Sequence, residues 1–380
     1  MKPHFYQDGY KLGILGGGQL GRMLIQSGID LNISFSVLDP DARAPCHSLC
    51  EFIQGRLTDY QTVMDFGESC NLITIEIENV NTLALRDLAA QGKQVYPQPH
   101  LIELIQDKRA QKQFFHDHEI PTAEFVLTES RDDLNSHVSF LPAVHKLGRE
   151  GYDGRGVQII RNKSEIEKGF DAPGLLERLI DFDCEISVIV AKSKSGEVVS
   201  YPPVEMAFHP EKNLVEYLFA PASISDDIQQ EADRIARKVI QTMDLVGVLA
   251  VEMFVTKNGD VLVNEVAPRP HNSGHHTIEA NETSQYEQHL RAILDQPLGN
   301  TTLRFPCAMV NLLGEDGFTG PAKYQGLDKV LSMEGTHIHL YGKTITKPFR
   351  KMGHVTIVDQ NMESLKKKVT FVKETLKVIS

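Results

Sequence analysis

The stretch that most constrains this chain runs from Val248 to His276 and reads VLAVEMFVTKNGDVLVNEVAPRPHNSGHH. Two apolar runs, Val248–Val255 and Val261–Val266, flank Lys257-Asn258-Gly259-Asp260. Asn-Gly between alternating apolar runs predicts a hairpin closed by a type I′ turn, in which both central residues take positive φ. With Asn258 and Gly259 central, Glu252 faces Glu265 and Phe254 faces Val263. Like charges directly opposite each other weaken a ladder, and a buried carboxylate pair does not stay doubly ionised without a partner. A cation therefore belongs beside the pair. One reading is a Lys or Arg partner, or exposure of both acids to water. The other is Mg²⁺, which takes one or two carboxylates and completes its octahedron with phosphates and water. The loop that follows, Ala267-Pro268-Arg269-Pro270-His271-Asn272-Ser273-Gly274-His275-His276, is proline-braced and dense in hydrogen-bonding side chains, which favours a metal–phosphate site.

A chain of 380 residues has room for two or three domains. With 41% hydrophobic and 24% charged residues it reads as a soluble globular protein. The net charge of −12 argues against a nucleic-acid partner, which needs a basic stripe, but leaves room for a nucleotide held by local amides, a few cations and metal. No apolar run reaches the roughly 18–20 residues of a membrane span, and MKPHFYQDGYK lacks the plan of a signal peptide. Five cysteines, with no second pair at zinc spacing beside Cys46 and Cys50, read as reduced thiols in a cytoplasmic protein without structural zinc.

Along the chain, Lys11–Leu15 reads as a strand, Gly16-Gly17-Gly18-Gln19-Leu20-Gly21 as a turn, Arg22–Gly28 as a helix and Ser34–Leu38 as a second strand ending at Asp39. This fits the G-x-G-x-x-G fingerprint of a dinucleotide site, although the amides at the helix start suit any phosphate or small anion. A strand at Leu72–Ile75, a helix over Thr82–Gln91 and a strand at Val95–Tyr96 extend the alternation, so the first hundred residues predict a Rossmann-like parallel sheet. Ligands lie beyond the carboxyl ends of such strands, where Gln19, Asp39 and Glu76 fall; carboxylates there also serve as helix caps. Gln106–His118 reads as one polar helix. Pro142–Lys146 reads as a strand carrying a lysine, followed by the glycine loop GREGYDGRGV, which is not a Walker P-loop. Its glycines let backbone amides approach phosphate, with Lys146 in reach; the plainer alternative is a surface hairpin with a solvated lysine. Gly174–Ile180 and Glu185–Val190 read as strand, linker and strand, suited to an adenine edge and ribose hydroxyls. Asp226–Met243 and Ser284–Leu294 are amphipathic core helices. Short strands follow at Ala308–Leu313, His337–Leu340 and Val355–Val358. The loop between the last two carries Lys343, Lys347, Arg350 and Lys351, either a solvated basic turn or an anion site.

In this order, GGGQLGRM, EIENV, the lysine strand with GYDGRG, EISVI, VLAVEMFV…NEVAPRPHNSGH and YGK…RKMGH resemble the ATP-grasp carboxylases of purine biosynthesis, the 5-(carboxyamino)imidazole ribonucleotide synthase family. The likeness covers nearly the whole chain and implies an α/β and α+β protein. It comprises a Rossmann-like pre-ATP-grasp domain over residues 1–100, an ATP-grasp domain over 101–300 with a glycine-loop lid at about 120–180, and a small C-terminal β-rich domain over 301–380. The activity implied is ATP-dependent carboxylation of 5-aminoimidazole ribonucleotide by bicarbonate, through carboxyphosphate, by a cytoplasmic homodimer using ATP and Mg²⁺, with no nucleic-acid or membrane partner. The resemblance gives ATP to Lys108, Lys146, Gly151, Tyr152, Asp153, Gly154, Arg155, Gly156, Val157, Glu177, Arg178, Leu179, Ile180, Glu185, Asn264 and Glu265. Glu252 and Glu265 would hold Mg²⁺. Gln19, Leu20, Glu76, Asn272, Lys343, Arg350 and Lys351 would bind the ribonucleotide, and Tyr152, Asp153, Arg269, His271 and Ser273 would serve the reacting centre, with Asp153 as base.

Three departures stand out. The family usually carries Arg where Lys108 stands, and Phe349 replaces the glycine of the common RPGRKMGH. His209 is displaced by a changed loop length and receives no role. Two other readings remain: a formate-dependent glycinamide ribonucleotide transformylase of the same fold, and an NAD-dependent oxidoreductase resting on Gly16–Gly21 alone.

Overall fold

A computed structural model describes residues 4–149, 156–209 and 214–380. The first unit alternates strand and helix: β1 (Leu12–Leu15), α1 (Gln19–Ile29), β2 (Phe35–Asp39), β3 (Glu51–Gln54), α2 (Tyr60–Glu68), β4 (Leu72–Ile75), α3 (Thr82–Ala90) and β5 (Gln94–Val95). They form a five-stranded parallel sheet in the order β3-β2-β1-β4-β5. β1 and β4 are buried at every position because helices cover both faces, which is why they read as continuous apolar runs without alternation.

The single helix expected over Gln106–His118 is two. Pro99–Gln106 (α4) ends at Asp107, whose backbone is extended and whose carboxylate accepts from Arg109 N–H at 3.0 Å to cap Lys108–Asp117 (α5). A short acidic side chain satisfies an orphan amide better from outside a helix than within it. The break turns Lys108 and Lys112, one helical turn apart, toward the strands described next.

β6 (Phe125–Thr128), β7 (Ala143–Leu147), β8 (Val157–Ile160) and β9 (Gly174–Arg178) make a four-stranded antiparallel sheet, ordered β6-β9-β7-β8. β10 (Phe182–Lys192), β11 (Val198–Ser200), β12 (Val204–Phe208), β13 (Val215–Ala220), α6 (Asp226–Met243), β14 (Gly247–Thr256) and β15 (Val261–Ala267) follow. α6 is capped by Ser225 and lays Ala232, Ile235, Ala236, Val239, Ile240 and Met243 onto the large core formed with β10, β14 and β15. After α7 (Thr277–Ala280) and α8 (Gln285–Ile293) comes β16 (Cys307–Leu313). The remainder is β17 (Gly320–Pro321), β18 (Lys323–Gln325), α9 (Leu327–Leu331), β19 (Thr336–Leu340), β20 (Ile345–Thr346), β21 (Lys351–Val358), α10 (Met362–Thr375) and β22 (Lys377–Ile379). Of the C-terminal strands, β17 with β20 and β18 with β22 form two-stranded sheets, and β16, β21 and β19 do not stand apart. These three extend the central sheet in the order β15-β14-β10-β12-β13-β16-β21-β19, with α10 packed on β16 and β21.

Glu252 pairs directly with Glu265, as expected, but by a different route. Gly259 alone in the turn has positive φ, +87°, and its N–H donates to Thr256 O at 2.9 Å, so the connection has three residues with glycine in the left-handed position. The type I′ turn on Asn258-Gly259 does not form, and Phe254 faces Leu262 in place of Val263. A bulge at Asn264 then shifts the register back by one residue and restores the Glu252–Glu265 pair.

All five cysteines are free. Among the described residues no helix is long and apolar enough to cross a membrane.

Candidate active site

The glycine turn after β1 is filled by the protein itself. Gly17 N–H donates to Asp39 Oδ2 at 2.7 Å, Gly18 N–H to Glu76 Oε1 at 2.6 Å and Gly21 N–H to Glu76 Oε2 at 2.7 Å. A Cβ on Gly16 would lie 2.3 Å from Glu76 Cγ, and one on Gly18 would lie 2.4 Å from Glu76 Oε1. These glycines are needed for the approach of a carboxylate, and the amides that would receive a dinucleotide pyrophosphate are spent on Glu76 and Asp39. That physical fact corrects the oxidoreductase reading. Burial raises the Glu76 carboxyl above its usual range, while the two amides pull it down.

The second cluster lies between the four-stranded sheet and the central hairpin. From α5, Lys108 pairs with Glu265, and Lys112 Nζ lies 2.9 Å from Glu177 Oε1. From β7, Lys146 Nζ lies 2.7 Å from Glu177 Oε2 and donates to Asn264 Oδ1 at 2.9 Å. The bulge at Asn264 aims that amide at Lys146 while leaving the acid pair in register. Burial drives the Glu252 carboxyl up to about 8, with the Glu265 and Glu185 charges adding to it. The Lys108 ammonium holds Glu265 down at about 2. Burial lifts Glu185 to about 7 against the pull of Lys146. The pair thus divides unevenly, as neighbouring like charges must: Lys108 favours the charged form of Glu265, while burial and that neighbouring charge disfavour the charged form of Glu252. The lysine partner weighed as the plainer alternative is what Glu265 has here.

His271 Nε2 is 3.4 Å from Glu252 Oε1, and its Nδ1 meets Ser273 Oγ at 2.9 Å, which in turn meets Ser187 Oγ at 2.8 Å. Arg269 reaches the loop after β4: its Nη2 donates to Glu78 Oε2 at 3.0 Å and its Nε lies 2.8 Å from Glu78 Oε1. Asn272 is buried and exchanges two hydrogen bonds with Asn311, each 2.8 Å, which leaves one N–H and one acceptor site of its amide for the ribonucleotide contact expected of it.

The third cluster joins the first unit to the C-terminal strands. Lys343 Nζ donates to Gln19 Oε1 and to Lys351 O, both at 2.8 Å, which brings Gln19, Lys343 and Lys351 together across the chain. Leu20 packs into the core beneath them. Arg350 Nη1 donates to Ile345 O at 2.6 Å. Phe349 takes the left-handed conformation, φ +62°, that the family's glycine adopts without strain, and its ring meets His209 edge-on at 5.8 Å.

Among the adenine-side residues, Arg178 and Leu179 donate their N–H groups to Glu124 O and Pro142 O, at 2.9 and 3.2 Å. Gly156 has φ +75° and Val157 pairs with Lys146, while Ile180 lies between β9 and β10. Gly151, Tyr152, Asp153, Gly154 and Arg155 lie outside the described residues. Sequence reasoning missed Lys112 and Glu78. The Lys108/Lys112 spacing on α5 was the available signal for the first. Nothing local signals the second, whose partner is 191 residues away.

A lysine-bearing antiparallel sheet facing a strand pair with opposed carboxylates, behind a parallel-sheet domain, defines an ATP-grasp protein. In agreement, the ATP-grasp domain family matches residues 113–286, the ribonucleotide synthetase preATP-grasp domain 10–106, and the phosphoribosylaminoimidazole carboxylase C-terminal domain 307–368. The chain belongs to the N5-carboxyaminoimidazole ribonucleotide synthase family. It is 38% identical over 356 residues to the N5-carboxyaminoimidazole ribonucleotide synthase of Synechococcus elongatus, covering 91% of this chain and 89% of that protein. The synthetase structure from Thermotoga maritima superposes with a TM-score of 0.90 at 40% identity, covering 98% and 99% of the two chains. The Aspergillus clavatus synthase in complex with ADP and 5-aminoimidazole ribonucleotide superposes with a TM-score of 0.88 at 34% identity, covering 97% and 98%.

Proposed function

We propose that the chain carboxylates 5-aminoimidazole ribonucleotide with bicarbonate at the expense of ATP, giving the N5-carboxylated ribonucleotide, ADP and phosphate in purine biosynthesis. The observation that carries this reading is the bond from Lys146 to Asn264, which brings the lysine-bearing sheet onto the strand holding Glu265 opposite Glu252. A triphosphate bound here would have the Lys146 ammonium on the four-stranded sheet and, on the hairpin side, the acid pair with Lys108 already against Glu265. Two carboxylates paired across the hairpin, one of them against Lys108, suit Mg²⁺. Glu252 and Glu265 would hold it, and when bound it would neutralise phosphate charge during transfer.

A bicarbonate oxygen attacks the γ-phosphorus, the bond to the bridging oxygen breaks, and ADP leaves with the electron pair. Lys146 balances the charge spread over the phosphoryl oxygens, and Arg269 serves the carboxyphosphate so formed. The exocyclic amine of the ribonucleotide then attacks the carboxyl carbon, phosphate leaves with the C–O pair, and a base takes the amine proton. Asp153 is assigned as that base. Gln19, Lys343 and Lys351 would form the cationic end for the 5′-phosphate, Lys343 Nζ being bonded to the Gln19 amide oxygen and to the Lys351 backbone carbonyl, with Arg350 adjacent in sequence. The test is ADP release with ATP, bicarbonate and ribonucleotide omitted in turn. Full turnover requires all three; release that instead needs formate and glycinamide ribonucleotide overturns the reading.

A further inference from the structure

Glu76 and Glu78 stand two residues apart on the loop leaving β4, yet they face different partners. Glu76 closes the start of α1, whereas Glu78 reaches the segment beyond β15, where its Oε2 accepts from Arg269 Nη2 and its Oε1 lies 2.8 Å from Arg269 Nε in an ion-pair contact. The loop has little freedom to shift, because Gln106 Nε2 donates to Glu78 O at 2.7 Å and to Val80 O at 3.0 Å. The guanidinium has little freedom either: beyond Glu78, its Nη1 donates to Pro270 O at 3.2 Å. Side-chain exposure is 17% for Arg269 and 23% for Glu78, so the pair is largely withdrawn from water. One charge-assisted hydrogen bond to Glu78, a second close contact at Nε and the Nη1 bond to Pro270 O together restrain the guanidinium in position and in plane. Arg269 lies four residues after Glu265 and two before His271, so whatever sets its plane sets a group between the metal-side acids and the ribonucleotide side.

We infer that Glu78 is a positioning residue for carboxyl transfer, holding Arg269 so that carboxyphosphate is kept against the ribonucleotide amine. The inference rests on the carboxylase reading. Its chemistry is a partition. Held in place, carboxyphosphate loses phosphate to the attacking amine. Misplaced, it reacts with water, which adds at the carbon and expels phosphate, returning bicarbonate. The second route consumes ATP without carboxylating anything, so the ratio of ADP formed to ribonucleotide carboxylated reports Glu78 directly. A strut that merely joins two units would change stability or overall rate and leave that ratio alone.

The experiment measures ADP and carboxylated product together in wild type, Glu78→Gln, Glu78→Asp, Arg269→Lys and the double variant Glu78→Gln/Arg269→Lys. Wild type should give a ratio of about one. Glu78→Gln should lower product formation about 10–100-fold, the range for a catalytic group displaced by about an ångström, and raise the ratio at least about fivefold. Glu78→Asp keeps the charge on a shorter stem and should restore the ratio in part; it also carries the test should Glu78→Gln fail to fold. In the Arg269→Lys background, Glu78→Gln should add less than about twofold, as residues acting as one unit do. A folded Glu78→Gln that keeps the wild-type ratio, or effects that multiply independently, overturns the inference alone. A wild type that does not carboxylate the ribonucleotide overturns the carboxylase reading and the inference with it.

Discussion

Glu177 holds two ammoniums at once, Lys112 at 2.9 Å and Lys146 at 2.7 Å, with side-chain exposures of 4%, 3% and 10%. Burial brings Lys112 down to about 8 against the pull chiefly of Glu177, with Glu265 adding to it. Glu177→Gln leaves two buried cations facing a neutral amide and should destabilise the protein by about 3–5 kcal/mol, read by urea unfolding. A loss under about 1 kcal/mol would mean that solvent reaches the pair. Glu265→Gln is different in kind, because the amide oxygen still accepts from Lys108 and the side chain keeps 41% exposure. The expected outcome is a thermal midpoint within a few degrees of wild type and Mg²⁺-dependent ADP release reduced at least about 100-fold. Near-normal turnover would remove Glu265 from the metal site. Both acids were visible as charges in apolar strands. Lys112 was not: its spacing from Lys108 puts the two on one helix face, but a polar helix does not show what that face will meet.

The hairpin shows how an element is specified with less detail than its outcome suggests. Alternation and Asn-Gly place the two strands, yet the turn closes with one left-handed residue, not two, and the bulge at Asn264 compensates. A Cβ on Gly259 meets nothing within 4 Å, so Gly259→Ala tests backbone conformation alone. It should cost about 1 kcal/mol, while Asn258→Ala should cost under about 0.5 kcal/mol. Equal costs at the two positions would restore the type I′ turn. The bulge was illegible because a single-residue register shift is decided by which side chains reach partners on other strands, here Asn264 on Lys146.

At the scale of the molecule, one buried histidine bonds the first unit to the central sheet. His289 on α8 accepts the Val248 N–H of β14 at Nδ1, 3.2 Å, which leaves Nε2 to donate to Thr74 Oγ1 of β4 at 2.9 Å. Burial holds His289 down at about 3, His145 and His276 at about 4, and His275 and His354 well below the ordinary value of 6.5. Each binds its proton more weakly folded than unfolded. The stability it contributes is therefore complete above about pH 6.5 and is lost as pH falls toward its folded value, by up to about 1.4 kcal/mol per pH unit per group. Glu185 and Glu252, raised to about 7 and about 8, act with the opposite sign, stabilising most at low pH and losing that share as pH rises through those values. A single substitution separates the contributions. The stability of His289→Gln should fall less steeply than that of wild type between pH 6.5 and 4, by about 1 kcal/mol per pH unit. Parallel profiles would mean that His289 protonates without cost.

Local chemistry is what the sequence by itself determined: the alternating strand–helix order of the first unit, the amphipathic face of α6, and two acids made to meet across a short turn. These follow from period, propensity and turn residues that are neighbours in the chain. The tertiary structure alone decided that Glu76 would fill the glycine turn, that β16, β21 and β19 would extend the central sheet, and that Glu78 would take Arg269. Each of those depends on groups tens to hundreds of residues apart, brought together by packing that no local pattern encodes.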